Sequence, residues 1–85
     1  MNEKNYLKER AEKNYIKGLL FEIVSEDTDL DQLVDNIYEL KGTVPVVKDE
    51  LQKTVLGEFC GCLRKGVMKN QAVAVSVKIA NLLIG

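Results

Sequence analysis

The segment QAVAVSVKIANLL (residues 71–83) decides the fold class, because its apolar residues fit two kinds of secondary structure. One subset has the spacing of a helix face: Ala72, Val75, Ile79 and Leu82 or Leu83. Another subset alternates with period two, as in a strand: Val73, Val75, Val77 and Ile79. Since a lone strand would leave its backbone groups unpaired, we expect a helix here, with Asn70 as its N-cap. The alternative is an α+β fold with a small sheet, in which residues 19–24 or 43–48 would pair with this segment.

The residues before this segment predict a third helix over 45–65. Pro45 suits the first turn of a helix, because its backbone angle is fixed and it has no amide donor. Gly66 ends the helix. Apolar residues every four positions should form one buried stripe: Val47, Leu51, Val55, Phe59 and Leu63.

Two more helices are expected in the first half of the chain. Over 2–24, apolar residues recur every four positions: Leu7, Ala11, Tyr15, Leu19 and Ile23. Over 29–41, Thr28 and Asp31 resemble a capping box, and Gly42 stands where a helix C-cap belongs. The sequence therefore predicts an all-α fold, a compact bundle of about four helices (2–24, 29–41, 45–65 and 71–83) in a single helical domain, 1–85.

Length and composition restrict the class of protein. A chain of 85 residues has a small core, and such domains often gain stability by self-association, so we expect a homodimer. An apolar fraction of 46% and a net charge of -1 are typical of a globular protein. The first residues are charged and no stretch approaches the roughly 18 apolar residues of a bilayer span. We therefore expect a cytoplasmic protein that does not enter a membrane.

Charge is segregated along the chain. Residues 18–40 contain seven acids and no base, whereas residues 64–85 contain four bases and no acid. Either these segments pair with each other, or they form surfaces for a partner. On the second interpretation, an acidic face binds a partner protein through Glu22, Glu26, Asp29, Asp31, Asp35 and Glu39.

The acidic residues and cysteines of the chain do not have the spacing that catalysis or metal binding requires. Residues 27–31 have the spacing that opens an EF-hand calcium loop, but Gln32 and Tyr38 stand where that loop needs glycine and glutamate. Cys60 and Cys62 would point about 200° apart on a helix, and the chain has no histidine. We therefore expect a protein that is not an enzyme and that uses no cofactor and no metal.

Two glycines interrupt the predicted third helix. Gly57 and Gly61 lie four residues apart, and each costs about 1 kcal/mol relative to alanine inside a helix. Small residues on one stripe allow another backbone to come close. Our hypothesis is that Gly57 and Gly61 form a helix-packing contact within the chain or, as the second possibility, a dimer seam.

Residues 56–75 resemble a helix-turn-helix segment. The small residue is Cys62, the turn glycine is Gly66, Val67 is apolar, and Ala72 and Val75 take the buried positions. The resemblance implies that the second helix enters the major groove of DNA. The residues for nucleic-acid contact would be Arg64, Lys65, Lys69, Asn70 and Gln71.

Two functions remain open. The leading hypothesis is a small non-enzymatic protein-protein interaction domain, an adaptor, inhibitor or regulatory protein, that also binds itself. Exposed aromatic side chains among Tyr6, Tyr15 and Tyr38 would anchor the partner. The alternative is a DNA-binding regulator of the helix-turn-helix kind that uses residues 56–83.

Overall fold

The computed structural model describes residues 3–43 and 47–84, of which only the backbone is described at residues 3 and 4. The described chain forms four α-helices: α1 (Glu3–Phe21), α2 (Leu30–Tyr38), α3 (Lys48–Phe59) and α4 (Lys69–Ile84). Two 3₁₀ turns follow α2 and α3, at Glu39–Gly42 and Cys60–Cys62. The prediction of an all-α bundle of about four helices is confirmed. The expected role of Pro45 lies outside the described residues.

One apolar core joins all four helices. Phe59 on α3 and Ile79 on α4 are both fully buried in it. Burying a side chain of this size stabilises the fold by about 1.5–3 kcal/mol relative to leaving it in water. The buried apolar residues are Ile16, Leu20, Ile23, Val24, Leu33, Val34, Ile37, Leu51, Val55, Phe59, Ala72, Val75, Ile79, Ala80 and Leu83.

The segment that decides the fold is a helix, and no strand occurs in the described part of the chain. Its buried hydroxyl, on Ser76, donates to the Val73 carbonyl at 2.7 Å and so remains hydrogen-bonded in the core. The predicted cap was wrong. Helix α4 already begins at Lys69, and the amides of Gln71 and Ala72 donate to the Met68 carbonyl, so Asn70 lies inside the first turn.

The third helix ends at Phe59, earlier than the predicted Lys65. The cause is a long-range pairing, because Leu63 forms an isolated antiparallel bridge with Val24. There, the Ser25 amide donates to the Cys62 carbonyl at 2.8 Å. Extended backbone at this point is incompatible with a helix. Three residues of the predicted stripe lie within α3 and are buried, namely Leu51, Val55 and Phe59.

Helix α2 is capped by a different residue from the one predicted. The Asp29 carboxylate accepts a hydrogen bond from the Gln32 amide at 3.2 Å, which satisfies one of the free donors of the first turn. Thr28 instead shares a hydrogen bond of 2.9 Å with the Ser25 hydroxyl. At the other end, the prediction of a helix to Lys41 capped by Gly42 was wrong: α2 ends at Tyr38 with Glu39 as its C-cap, and Gly42 is the last residue of a 3₁₀ turn that Thr43 caps.

Helix α1 ends at Phe21, and only part of its predicted stripe faces the core: Leu19 is half-buried against the core and Ile23, just past the helix, is buried. Leu7 is 55% exposed, Tyr15 is 48% exposed, and Ala11 between them is exposed as well. The residues that enter the core are Ile16 and Leu20, which are fully buried. Both sets recur every four residues, so periodicity alone cannot say which set faces inward. Leu7, Ala11 and Tyr15 therefore leave apolar surface open to solvent.

Candidate functional site

An apolar groove lies where the end of α3 meets the start of α4. Its volume is about 490 Å³. Leu56, Leu63 and Val67 are half-buried in it, and Ala72 is buried. The groove is lined by Lys53, Leu56, Gly57, Cys60, Leu63, Val67, Lys69 and Ala72.

The connection between the two helices shapes this groove. The 3₁₀ turn at Cys60–Cys62 and the bridge of Leu63 to Val24 hold the chain in an extended path after α3. Gly66, with φ of +96°, then reverses the chain, a conformation that favours glycine. Leu56 and Val67, on either side of this connection, are only partly covered.

The edge of the groove is basic. Lys53 on α3 and Lys69 on α4 line it, and none of its lining residues is acidic. The Cys60 thiol is exposed, and it lies 3.8 Å from the Gly57 carbonyl oxygen. Such a groove can bind apolar side chains in its centre and carboxylates at its edge.

The two glycines lie in open space. Apart from its chain neighbours and the backbone of its own helix, a Cβ atom added at Gly57 or at Gly61 would meet no heavy atom of the described residues within 4 Å. A close intramolecular packing contact at these glycines is therefore not found, which corrects that part of the hypothesis. Gly57 lines the groove, whereas Gly61 lies in the 3₁₀ turn and lines a separate cavity with Ser25 and Asp29. The seam with a second copy stays a hypothesis.

The six residues of the predicted acidic face fall into two groups. Asp31 binds Lys17 at 2.7 Å, and Asp35 binds Lys13 at 3.2 Å, so two of its six members pair with α1. The acidic segment thus contacts the basic first helix, while the other ion pairs of the described chain also involve α1. The remaining four acids are exposed, namely Glu22, Glu26, Asp29 and Glu39.

A polar network that the sequence did not reveal joins α1 to the end of α2. The Glu12 carboxylate accepts hydrogen bonds from the Tyr38 hydroxyl at 2.8 Å and from the Lys41 ammonium at 3.0 Å. Partial burial alone would raise the pKa of Glu12, but the bonds from Lys41 and Tyr38 outweigh it and lower the pKa. Burial and the bond to Glu12 raise the pKa of Tyr38.

Tyr38, one of the three tyrosines proposed as anchors for a partner, belongs to the same network. The ammonium groups of Lys13 and Lys41 lie 5.3 and 5.4 Å from the centre of the Tyr38 ring. Tyr38 therefore holds the fold together, because cations at this distance are attracted by the ring. Tyr6 and Tyr15 are 52% and 48% exposed.

The residues proposed for nucleic-acid contact are all exposed, but the motif that suggested them is incomplete. Residues 60–65 contain no α-helix, so the first helix that a helix-turn-helix segment requires is not formed there. Arg64 donates instead to the backbone carbonyls of Phe21 at 3.2 Å and Val24 at 3.4 Å. The other four exposed residues that were proposed for nucleic-acid contact are Lys65, Lys69, Asn70 and Gln71.

Sequence reasoning missed Lys53, Leu56 and Val67 as residues of a site. Leu56 lies off the core stripe of α3, next to Gly57, and this was the available signal. Within the described residues, no group of three or more acidic or cysteine side chains has the arrangement of a metal site. In the same residues, no helix is both long enough and apolar enough to cross a membrane.

Comparison of the chain with protein-family models, with curated proteins and with solved structures finds no match in any of the three.

Proposed function

We propose that this protein is a cytoplasmic, non-enzymatic protein-protein interaction domain, and that its α3–α4 groove binds an amphipathic helix of a partner protein with acidic residues beside its apolar stripe. The observation that carries the proposal is the apolar groove with lysines at its edge. An adaptor, an inhibitor or a regulatory protein would each act through such a contact.

The apolar lining of the groove supports a helical partner. Grooves of this kind accept two or three apolar side chains spaced i, i+3 or i+4, and i+7 along a helix. Leu56, Leu63 and Val67 offer apolar surface for these anchors. Gly57 has no side chain, so the partner backbone can come close to α3 at this point.

Charge supports an acidic partner. Lys53 and Lys69 stand at the edge, and no acid lines the groove. Complementary charges at the edge of an interface speed up association and exclude partners of the wrong sign. A helix with glutamates beside its apolar stripe therefore fits better than one with lysines.

The test uses two synthetic helical peptides that share one apolar stripe and differ only in flanking glutamates or lysines. Binding is followed by changes in the backbone amide NMR signals. The glutamate peptide should bind and shift the signals of residues 53–72, whereas the lysine peptide should not. Charge reversal at Lys53 should weaken the binding of the glutamate peptide, and the same change at Lys65, outside the groove, serves as the control.

Gly57→Ala provides a second measurement on the same groove. Alanine is favoured over glycine inside a helix by about 1 kcal/mol, and its Cβ would meet no described atom, so the variant should be more stable. The added methyl group should nevertheless weaken peptide binding. If neither peptide shifts signals of residues 53–72, or if both bind equally, the proposed function is wrong.

DNA binding remains the second candidate, and one observation favours it. The solvent side of α4 carries Lys69, Asn70, Gln71, Lys78 and Asn81, all exposed, with no acid in the helix. Phosphate contacts would make the affinity for duplex DNA fall steeply with salt. DNA binding with that salt dependence, which weakens on Lys78→Ala, would select this function over a protein partner.

A further inference from the structure

The solvent face of α1 carries a heptad pattern that the core does not use. Leu7, Asn14 and Phe21 are spaced seven residues apart, and Ala11 and Gly18 fall between them. All five are exposed, with Leu7 at 55% and Phe21 at 66%. Residues at this spacing form one stripe along a helix, and such a stripe is the contact line of paired helices. We call it the outer face of α1.

The outer face is self-complementary in an antiparallel arrangement. Leu7 and Phe21 are each seven residues from Asn14. A two-fold axis at Asn14 would therefore place Leu7 of one copy against Phe21 of the other, twice. Ala11 and Gly18 would meet near the axis, where small residues allow the helices to come close. A Cβ atom at Gly18 would meet nothing in the described chain, so the isolated fold itself leaves this space open.

Charge favours the antiparallel arrangement over the parallel one. Lys8 follows Leu7, and Glu22 follows Phe21 just past the end of α1, where the Val24 amide still donates to the Leu20 carbonyl at 2.9 Å. Both are exposed and lie on the same flank. At a rise of 1.5 Å per residue they are about 9 and 12 Å from the axis at Asn14, on opposite sides. An antiparallel pair thus brings Lys8 of one copy to the level of Glu22 of the other.

The second flank is basic. Arg10 and Lys17 each lie three residues after a member of the stripe, so they share the flank opposite Lys8. In a parallel pair these two flanks would face each other, so Lys8 would lie near Arg10 of the second copy and be repelled. In the antiparallel pair Arg10 would face Lys17 of the second copy, but Asp31 already binds Lys17 at 2.7 Å and neutralises it. The pairing of Lys8 with Glu22, together with the repulsion between Lys8 and Arg10 in a parallel pair, therefore favours a second copy in the antiparallel orientation.

We infer that a second copy of this chain docks on the outer face of α1, antiparallel, with Asn14 at the two-fold axis. The inference does not depend on the proposed function, because the outer face shares no residue with the groove. A helix of 19 residues is about 28 Å long. One helix pair of that length lies at the lower end of interface sizes, so the dimer is weak and reversible.

Sedimentation equilibrium over a wide range of protein concentration tests the inference. The wild-type chain should pass from monomer to dimer, and Leu7→Glu and Phe21→Glu should remain monomeric. Both side chains are exposed, so the fold should survive, as circular dichroism can verify. Met68→Glu is the matched control, because Met68 is 66% exposed and lies outside the outer face. It should dimerise like the wild type.

Charge exchange tests the orientation. Lys8→Glu and Glu22→Lys should each weaken the dimer about tenfold, since each places two like-charged pairs across the axis. The double variant should recover the wild-type dissociation constant. Asn14→Leu should strengthen the dimer, because a polar residue in a helix seam costs stability. A monomer at every concentration, loss of the dimer in Met68→Glu but not in Leu7→Glu, or no recovery in the double variant would overturn the inference.

Discussion

Glu12 shows how a charged residue can take a core-facing position. Its side chain is 12% exposed, and two donors satisfy the carboxylate from the other side of the α1–α2 contact. A buried carboxylate without partners would destabilise the fold, because its desolvation would be uncompensated. With Tyr38 and Lys41 in place, Glu12 helps to hold α1 in the register that turns Leu7 outward.

Glu12→Gln should lower the free energy of unfolding at neutral pH by roughly 1 kcal/mol, because the charge-assisted bond from Lys41 is lost. The pKa of Glu12 is lowered in the fold from its ordinary value of 4.5. The stability that it contributes is therefore present above that value and is lost as the pH falls through the lower pKa of the folded state. Urea unfolding at a series of pH values measures the difference between the two proteins.

Glu9→Gln is the control for this prediction. Glu9 is on the same helix and pairs with Lys13, but at 3.8 Å and with its side chain 46% exposed. An exposed pair of this kind is worth little, so the change should stay within about 0.5 kcal/mol. If the two variants lose the same stability, or if the difference between wild type and Glu12→Gln does not diminish in acid, the role given to Glu12 is wrong.

At the scale of elements, the turn after α3 is fixed by contacts from a distant part of the chain. Leu63 and Arg64 bind the end of α1 and the segment after it, some forty residues earlier. Leu63 forms the bridge to Val24, and the Arg64 side chain donates to the carbonyls of Val24 and Phe21. The Arg64 amide also donates to the Ile23 carbonyl at 2.7 Å. This junction determines where α3 ends.

Arg64→Ala should destabilise the protein by roughly 1 kcal/mol, because two hydrogen bonds from a charged donor to backbone carbonyls are lost at a partly exposed site. Lys65→Ala removes the same charge one residue later. Lys65 is exposed, so its loss should change stability by less than about 0.5 kcal/mol. Thermal or urea unfolding compares the two, and equal losses would contradict the structural role of Arg64.

These elements also show what sequence could and could not predict. Helix α4 was predictable because its apolar residues fit a helix face over a length that few strands reach. The end of α3 could not be predicted, because it depends on the pairing of Leu63 with Val24 rather than on neighbouring residues. The inward face of α1 was missed because Glu12 and Lys13 reach the core side only with partners from other helices. The groove was missed for the same reason, as it is formed by two helices together.

At the scale of the whole molecule, apolar surface remains on two sides of a small core. The α3–α4 groove and the outer face of α1 share no residue, so one can be filled without blocking the residues of the other. Domains of this size bury a smaller fraction of their surface than larger ones and gain stability from association. A dimer through α1 would therefore stabilise the scaffold that presents the groove.

Amide hydrogen exchange in the first half of α1 tests whether dimerisation stabilises the fold. Between Asn5 and Ala11 no side chain is buried, whereas Ile16 and Leu20 are fully buried. Local opening of the first half should therefore need less free energy than opening of the second half, and its amides should exchange faster in the monomer. Because a partner that binds only the ordered state stabilises it, exchange at residues 7–11 should slow as protein concentration rises. In Leu7→Glu the same amides should exchange fast at every protein concentration. If the exchange rate in the wild type does not depend on concentration, a second copy does not order this part of α1.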